Sequence, residues 1–264
     1  MSGARLESTS VTAPWVVKVG GRLVEETEGR ARLARACADL AEPIVLVHGG
    51  GDRVSRMQQK LGRTPRFVEG RRVTELADVE VLEMVLSGSL NKALARDLTA
   101  AGRPAIGIAG TDAGLIVCEW VPELGRVGLP ARVHSAALAV LLQANLVPVV
   151  APVSLGPDGE PVNLNADECA AALAVALQSP RLLLLTDVEG VRVEDAWCGE
   201  VAGHEVEALI ARGEVTGGMI PKMRAAAAAT GAGVREVRIA AFADSLSFVG
   251  GTRVHADPGG AVHA

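Results

Sequence analysis

Residues 43–51 read PIVLVHGGG, a short apolar run that ends in three consecutive glycines. Residues 15–21, WVVKVGG, have the same design, with a glycine pair after the apolar residues. Continuous runs of β-branched residues and Leu, without strict polar alternation, are typical of strands buried on both faces, as in parallel sheets. Both segments are therefore predicted to be central strands that end in glycine-rich turns.

Further apolar runs extend this pattern along the chain, at residues 105–110, 146–153, 181–190 and 234–242. Helical patterns lie between the runs, at residues 29–40, 52–61, 76–101, 135–144 and 167–177. Strands and helices thus alternate, except at residues 111–132, which are predicted to form a hairpin. The alternation predicts an α/β fold, a three-layer α/β/α sandwich with a mainly parallel central sheet.

The chain is predicted to fold as one domain with two lobes. The expected bounds are 15–255 for the domain, about 15–155 for the N-lobe, about 156–255 for the C-lobe, and 1–14 and 256–264 for flexible tails. Ligands of such sheets collect at the carboxyl ends of the strands. One site is therefore expected near Gly20, Gly50 and Gly110, and another near Asp187 and Phe242.

The composition excludes several classes of protein. The 264 residues are 49% hydrophobic with a formal net charge of −5, so the chain is not intrinsically disordered. Aromatic residues make up only 2%, which argues against base stacking and a nucleic-acid partner. Widely spaced cysteines without a CxxC pair argue against a metal site. No membrane span and no apolar signal core are found in the sequence, so a soluble cytoplasmic protein is expected.

Two glycine-rich turns are candidates for anion binding. Lys18 lies near the end of the first apolar run, where a buried charge is costly without a partner or a ligand. Gly20 and Gly21 after it, and the HGGG turn at 48–51, let backbone N–H groups approach an anion. Ordinary tight turns remain the alternative. The patterns GxSxG, GxxxxGK[ST] and GxGxxG are absent, which excludes the hydrolase elbow, the P-loop and the Rossmann fingerprint.

Three further stretches carry charged side chains beside a glycine or a helix start. Arg71 and Arg72 precede a predicted helix, and a guanidinium in a loop suits bidentate capture of a carboxylate. Asp167, in the stretch NLNAD, is either a helix-capping residue or part of a site. Lys222 follows a glycine pair at the head of a helix, and a second lysine so delivered is what phosphoryl transfer needs.

Taken together and in this order, these segments resemble the amino acid kinase family and, within it, the acetylglutamate kinases. The resemblance runs from about residue 15 to residue 252 and is carried by KVGG, VHGGG, GRRVT, EMVLSGSLNK, AIGIAG, GRVG, PVVAPV, NLNAD, LLTDVEGV and GGMIPK. It implies transfer of the γ-phosphoryl group of ATP to the γ-carboxylate of N-acetyl-L-glutamate, the second step of arginine biosynthesis. It also implies Mg²⁺ held mainly by the phosphates rather than by a protein metal site.

The resemblance assigns roles to individual residues. Lys18 and Lys222 would flank the transferring phosphoryl group, and Asp167 would hold both lysines in place. On the acyl side, Arg72 would clamp the α-carboxylate of acetylglutamate, and Asn163 would bind its acetamido group or the adjoining carboxylate.

The remaining roles concern backbone and nucleotide contacts. The N-lobe would bind the acyl substrate and the C-lobe ATP. Glycines offering amides to phosphate oxygens or lying near the acyl substrate would be Gly20, Gly21, Gly50 and Gly51. Residues lining the nucleotide pocket would be Asp187, Val188, Glu189, Gly190, Val191, Arg192, Glu214, Val215 and Thr216.

Two positions depart from the family pattern. Thr111 stands where many acetylglutamate kinases have Lys, and Arg71 stands where an apolar residue is more common. Arginine-inhibited members carry an additional N-terminal helix, which the polar residues 1–14 are not expected to form. The resemblance therefore implies a homodimer without strong arginine feedback, built around residues 78–101.

Two other functions stay open at this point. One is the related kinase that acts on aminoadipate or glutamate linked to a carrier protein, although the net acidic chain argues against an acidic carrier. The other is a non-catalytic ligand-sensing domain of the same fold, which has no need to keep Lys18, Asp167 and Lys222 together.

Overall fold

The computed structural model describes residues 12–256. In chain order the strands are β1 Trp15–Val19, β2 Ile44–His48, β3 Arg66–Val68, β4 Arg71–Val73, β5 Ala105–Ala109, β6 Ile116–Trp120, β7 Val127–Val133, β8 Val147–Ala151, β9 Val153–Leu155, β10 Pro161–Leu164, β11 Arg181–Thr186, β12 Val191–Val193, β13 Ala196–Cys198, β14 Glu200–Ala202, β15 Glu236–Ala241 and β16 Thr252–His255.

The helices separate most strands of the central sheet, but the expected alternation is interrupted in more places than residues 111–132, since β3 and β4, β8 to β10, β11 to β14, and β15 and β16 follow one another without an α-helix between them. The helices are α1 Gly21–Glu25, α2 Thr27–Ala38, α3 Gly51–Lys60, α4 Leu76–Leu82, α5 Asn91–Ala100, α6 Ala136–Gln143, α7 Ala166–Ala176, α8 Val206–Ala211 and α9 Met219–Gly231. A π-helix, Glu83–Leu90, joins α4 to α5, and 3₁₀ turns lie at Asp112–Gly114, Pro122–Leu124 and Gly203–Glu205.

An eight-stranded sheet forms the centre of the molecule, in the order β14-β16-β15-β11-β1-β2-β8-β5. Neighbouring strands are parallel throughout, apart from the antiparallel pair of β15 and β16. Helices cover both faces, and buried apolar side chains form a core on each. The predicted three-layer sandwich with a mainly parallel sheet is therefore confirmed.

The alternation of side chains along β1 decides which face of the sheet each of its residues serves. Val17 belongs to the same buried cluster as Leu94 of α5. Val16 belongs to the opposite cluster, which includes Leu173 of α7. Because successive residues of a strand point to opposite faces, Lys18 shares the α7 face with Val16. A lysine is thereby placed under the helix that begins with NLNAD.

A small closed barrel of β6, β7, β9 and β10 packs beside the sheet. The predicted hairpin over 111–132 corresponds to the antiparallel pair β6 and β7. The barrel itself was not predicted, because it is completed by strands from a different part of the chain. The single strand expected at 146–153 is instead divided into β8 and β9, with Pro152 between them.

The helix predicted over 76–101 is continuous but changes type in its middle, where the π-helix replaces regular α-helix. Leu86 and Leu90 of this π-helix lie against Gly50, which has φ +147°. A Cβ at position 50 would overlap the side chain of Leu90. Glycine is therefore required there by both the backbone conformation and the close packing.

Some sequence expectations are not tested by these residues. Most of the predicted tails, residues 1–11 and 257–264, lies outside the described part of the chain. The division into two lobes also stays a prediction. Across residues 12–256, no helix combines the length and apolar character that a bilayer crossing requires.

A buried polar contact at the end of β2 involves His48, which has no solvent exposure. Its Nδ1 lies 2.8 Å from the carbonyl oxygen of Gly49, and its Nε2 lies 3.2 Å from Nδ2 of Asn91. Asn91 also donates to the carbonyl of Val149 at 2.8 Å. Only a neutral imidazole with its proton on Nδ1 satisfies both contacts of the ring. Burial accordingly lowers the pKa of His48 to about 4.

The free energy of unfolding should therefore decrease as the pH is lowered below the ordinary histidine pKa. Between pH 6.5 and the lowered pKa of about 4, the unfolded chain binds a proton at His48 that the folded chain does not. This difference contributes a slope of up to about 1.4 kcal/mol per pH unit to the free energy of unfolding. Urea unfolding at pH 7 and at pH 5 checks this. The decrease in the free energy of unfolding between the two pH values should be smaller for His48→Gln than for the wild type. Equal losses in the two proteins would contradict the assignment.

Candidate active site

Two lysines from different elements meet one carboxylate. Lys18 of β1 places its Nζ 3.0 Å from Oδ1 of Asp167, and Lys222 of α9 places its Nζ 2.8 Å from the same oxygen. All three residues are buried, with exposures of 5 to 8%. The structure thus brings together the three residues predicted to be catalytic, which we name the lysine–carboxylate cluster.

The start of α7 explains how Asp167 becomes available for this cluster. Asn165 is the N-cap, and its side chain accepts hydrogen bonds from the backbone N–H groups of Asp167 at 2.8 Å and Glu168 at 3.2 Å. Capping is therefore performed by Asn165, which leaves the Asp167 carboxylate free to bind the lysines. Of the two interpretations of Asp167, helix capping is wrong.

The electrostatics of the lysine–carboxylate cluster follow from its burial and its charge count. Burial alone would raise the pKa of Asp167, but the ammonium groups of Lys18 and Lys222 outweigh it and lower that pKa to about 2. Burial also lowers the pKa of Lys222 to about 8, with the Lys18 charge adding to the effect and Asp167 opposing it. One carboxylate facing two ammonium groups leaves a net positive charge, which is suited to an anionic ligand.

Two cavities adjoin the lysine–carboxylate cluster. The larger has a volume of about 720 Å³ and lies at the carboxyl ends of β1, β11 and β15. The smaller has a volume of about 170 Å³ and is bounded by the HGGG turn, β4 and the NLNAD segment. Lys18, Gly51 and Asp167 line both cavities. A group placed at this junction would therefore be within reach of ligands in either cavity.

The two glycine-rich turns touch where the cavities meet. A Cβ at Gly21 would lie 3.1 Å from the backbone nitrogen of Gly50. Side chains larger than hydrogen would push the turns apart, which accounts for glycines in both KVGG and HGGG.

Four of the predicted nucleotide and phosphate residues line the larger cavity: Gly20, Gly21, Asp187 and Val188. Lining residues that the sequence analysis did not single out include Arg22, Asp52, Thr186, Gly218 and Met219. Arg22 pairs with Asp187 at 2.7 Å on the exposed rim. The carboxyl ends of β1 and β11 thus contribute to one cavity, where a ligand site in a parallel sheet is expected. The expectation that Gly20 belongs to a different site from Asp187 and Phe242 is wrong, because all three line this cavity.

The other predicted nucleotide residues do not line this cavity: Glu189, Gly190, Val191, Arg192, Glu214, Val215 and Thr216. Val191 and Val215 are core residues with exposures of 1% and 2%. Arg192 stacks over the ring of Trp197 at 5.5 Å, and Glu214 accepts a hydrogen bond from Arg212 at 2.6 Å. Their part in nucleotide binding stays a prediction.

The smaller cavity contains all four predicted acyl-substrate residues: Gly50, Gly51, Arg72 and Asn163. Asn163 donates from Nδ2 to the hydroxyl of Thr74 at 3.0 Å. Gly110, by contrast, lines neither cavity and packs against Ser154. The expected grouping of Gly110 with Gly20 and Gly50 is therefore wrong, because the chain continues past the strand end into the barrel.

Arg72 is buried, and its guanidinium is held by neutral groups. It donates to Oε1 of Gln58 at 2.5 Å and to the carbonyl of Gly51 at 2.6 Å, and it stacks over Phe67 at 4.6 Å. Within residues 12–256 no carboxylate lies within ion-pair distance of Arg72. Burial lowers its pKa. The carboxylates of Asp78 and Asp52 attract the guanidinium without forming an ion pair with it, so its charge beside the smaller cavity is available to a ligand.

Gln58 was missed by the sequence analysis, although it belongs to the support of Arg72. It is 2% exposed and donates from Nε2 to Oδ1 of Asp78 at 2.8 Å. Asp78 is itself paired with Arg63 at 2.5 Å. A polar residue four positions after the buried Val54, on the apolar face of α3, was the only available signal in the sequence.

Comparisons with known proteins agree with this geometry. Residues 13–241 match the model of the amino acid kinase family. The acetylglutamate kinase of Roseiflexus sp. (strain RS-1) is 46% identical over 202 residues, which cover 75% of this chain and 77% of that protein. The acetylglutamate kinase of Ruegeria sp. (strain TM1040) is 43% identical over 203 residues, covering 75% and 71%.

A solved structure extends the agreement to three dimensions. The structure of smu.665 from Streptococcus mutans UA159 has a TM-score of 0.82 at 28% identity and covers 93% of this chain and 99% of that chain. Sequence relatives, family model and fold thus coincide with the motifs from KVGG to GGMIPK, and the chain belongs to the amino acid kinase family.

Proposed function

We propose that this chain transfers the γ-phosphoryl group of ATP to the γ-carboxylate of N-acetyl-L-glutamate, forming N-acetyl-L-glutamyl 5-phosphate in arginine biosynthesis. The observation that carries the proposal is the lysine–carboxylate cluster at the junction of two cavities of unequal size. The names of the relatives, which are acetylglutamate kinases, support the identity of the acceptor.

In this proposal, ATP occupies the larger cavity and its γ-phosphate lies at the junction. Lys18 and Lys222 neutralise the charge that spreads over the phosphoryl oxygens during transfer, while Asp167 keeps both ammonium groups in place. Backbone N–H groups of Gly20 and Gly21 contact the phosphates. Arriving phosphate charge favours the protonated form of Lys222, whose pKa burial lowers to about 8.

The acceptor needs no general base. A γ-carboxylate has a reference pKa of about 4.3 and is already a nucleophile at neutral pH. Catalysis then depends on positioning and on charge stabilisation. Arg72 would bind the α-carboxylate of acetylglutamate and Asn163 its acetamido group, with Gly50 and Gly51 alongside. The acceptor carboxylate would thus point from the smaller cavity toward the junction.

Mg²⁺ enters this proposal as part of the substrate MgATP. Among residues 12–256, no group of three or more His, Cys, Asp or Glu side chains is arranged to hold a metal ion. In this proposal the metal is held mainly by the nucleotide phosphates. The N-lobe, about 15–155, and the C-lobe, about 156–255, would divide acyl substrate and ATP between them.

The two alternative functions gain no support. A carrier-linked substrate would need a wide approach to the acceptor site, whereas the cavity beside Arg72 has a volume of about 170 Å³. A sensing domain would need an anion site but not two buried lysines that adjoin both an acceptor cavity and a second, larger cavity, which is the arrangement that transfer between two ligands requires.

We further propose a homodimer built on α4, the π-helix and the edge strand β5. Leu76 and Met84 are 71% and 49% exposed on the helical segment, and Ile106 is 39% exposed on β5. Apolar side chains beside an unpaired sheet edge are suited to a self-complementary interface. This surface overlaps the segment 78–101 that the sequence resemblance implies.

The dimer is tested by sedimentation equilibrium of the wild type and of Met84→Glu. A carboxylate buried at the two-fold interface should shift the protein to a monomer, while Val249→Glu, at a residue 85% exposed elsewhere, should leave the dimer intact. A wild type that sediments as a monomer would contradict this proposal.

The acceptor is tested with a hydroxamate assay, which traps the acyl phosphate. We expect activity with acetylglutamate and little with glutamate or free aminoadipate. Lys222→Ala should lower turnover by about 10²-fold or more, since it removes charge stabilisation of the transferring group. Folding should be retained, because Asp167 keeps its contact with Lys18.

The matched control is Lys60→Ala, which removes an exposed lysine of α3 and should leave turnover unchanged. Preference for glutamate or aminoadipate would refute the proposed acceptor. Turnover of Lys222→Ala near that of the wild type would refute the role of this lysine.

Arg72→Ala should raise KM for acetylglutamate by about 10 to 100-fold, because a charge-assisted hydrogen bond to its carboxylate is lost. KM for ATP should stay near its wild-type value. Gln58→Glu should also raise KM for acetylglutamate, since a carboxylate 2.5 Å from the guanidinium would compete with the substrate. Its neighbour Gln59 is exposed, so Gln59→Glu is the control. Equal effects on the two KM values would count against the clamp.

A further inference from the structure

The strands β3 and β4 form a separate two-stranded hairpin that is not part of the central sheet. Glu69 and Gly70 make its turn with φ values of +46° and +78°. Arg72, the proposed substrate clamp, lies on β4. The position of the clamp therefore depends on how the hairpin is held against the rest of the molecule.

Residues 69–71, named here the hairpin tip, all contact the segments that carry the lysine–carboxylate cluster. Arg71 forms an ion pair through Nη2 with Oε1 of Glu168 in the first turn of α7. Glu69 pairs with Arg224 of α9 at 3.1 Å. Gly70 lies against the turn that precedes α9, where a Cβ would come within 2.8 Å of the carbonyl oxygen of Gly217.

The two ion pairs of the hairpin tip differ in burial. The side chains of Glu69 and Arg224 are 65% and 36% exposed, and solvated pairs of this kind contribute little to stability. The side chains of Arg71 and Glu168 are only 23% and 10% exposed. Removing one partner of a largely buried pair is costly. For Glu168, Arg71 is the larger of two compensating charges, the other being Arg224. The contact between Arg71 and Glu168 is thus the stronger constraint on the hairpin.

We propose that Arg71 and Glu168 are positioning residues, which fix the hairpin bearing Arg72 relative to the helix bearing Asp167. The proposal rests on the proposed function, since it assigns these residues to the alignment of acceptor and phosphoryl group. Arg71 immediately precedes Arg72, and Glu168 immediately follows Asp167. The pair therefore joins the acyl-substrate side and the phosphoryl side of the site, one residue away from Arg72 and from Asp167.

The side chains of Arg71 and Arg72 point in different directions, which allows one to hold the hairpin and the other to bind the acceptor. Successive residues of a strand point to opposite faces, so Arg72 donates to Gln58 and Gly51 of α3 while Arg71 pairs with Glu168 of α7. Both arginines line the smaller cavity. Reaction rates depend steeply on alignment, and a displacement of about 1 Å can lower them about 10²-fold. A loosened hairpin should therefore affect both acceptor binding and turnover, and leave ATP binding in the larger cavity unchanged.

The test compares Arg71→Leu and Glu168→Gln with the double variant. Each single change should lower kcat/KM for acetylglutamate by about 10 to 100-fold, with both kcat and KM affected and KM for ATP unchanged. The double variant should lose no more than either single variant, because both remove the same contact. Arg71→Lys should recover part of the loss.

Arg66→Leu is the matched control on the same hairpin. Arg66 pairs with Glu75, whose side chain is 60% exposed and lies outside α7 and α9, so this variant should keep wild-type kinetics. Amide hydrogen exchange in residues 66–73 gives a second readout that needs no substrate. It should accelerate in Arg71→Leu and Glu168→Gln but not in Arg66→Leu.

Unchanged exchange in Arg71→Leu and Glu168→Gln would overturn the proposal, and so would single-variant losses that simply add in the double variant. A wild type inactive on acetylglutamate would refute the proposed acceptor. The exchange comparison would still decide whether Arg71 and Glu168 hold the hairpin, so the two failures can be distinguished.

Discussion

One carboxylate oxygen, Oδ1 of Asp167, accepts contacts from two buried ammonium groups, and much of the surrounding structure serves this arrangement. Removing the carboxylate would leave two like charges in contact, and removing either lysine would reduce the attraction for an anion. The side-chain direction along β1 delivers Lys18, the capping of α7 by Asn165 frees Asp167, and α9 delivers Lys222. The packing of the central sheet against α7 and α9 therefore determines the chemistry of the site.

Beside this cluster, glycines allow the backbones of the KVGG and HGGG turns to approach each other closely. The contact between Gly21 and Gly50 lets the larger and smaller cavities share one wall, so that a transferred group needs to move only a short distance. On the acyl side, Arg72 is held by Gln58 and the carbonyl of Gly51 rather than by a carboxylate. Direct contacts with neutral groups leave the guanidinium free to pair with a ligand carboxylate, while the nearby Asp78 is paired with Arg63.

Local sequence patterns were sufficient for six of the eight strands of the central sheet, because these strands are mainly apolar runs between helices with their own periodicity. The short strands β14 and β16 were not predicted. Local patterns were insufficient where structure depends on distant partners. The barrel needs β9 and β10 to close on β6 and β7, and the strand at 146–153 divides in order to supply β9. Seven of the predicted nucleotide residues do not line the larger cavity, and two of them, Val191 and Val215, belong to the hydrophobic core, so their part in nucleotide binding stays a prediction.

The sequence by itself determined the α/β fold class, the family, and the residue types of the site, because apolar runs, glycine turns and charged residues at strand ends are all local features. The tertiary structure alone decided which groups meet. Arg71 reaches Glu168 across 97 positions of the chain, and Gln58 rather than a carboxylate faces Arg72. Such pairings depend on which face of a strand or helix each side chain occupies after packing, and on burial that makes an unpaired charge costly. Neither the face that a side chain occupies nor its burial can be read from a short stretch of the chain.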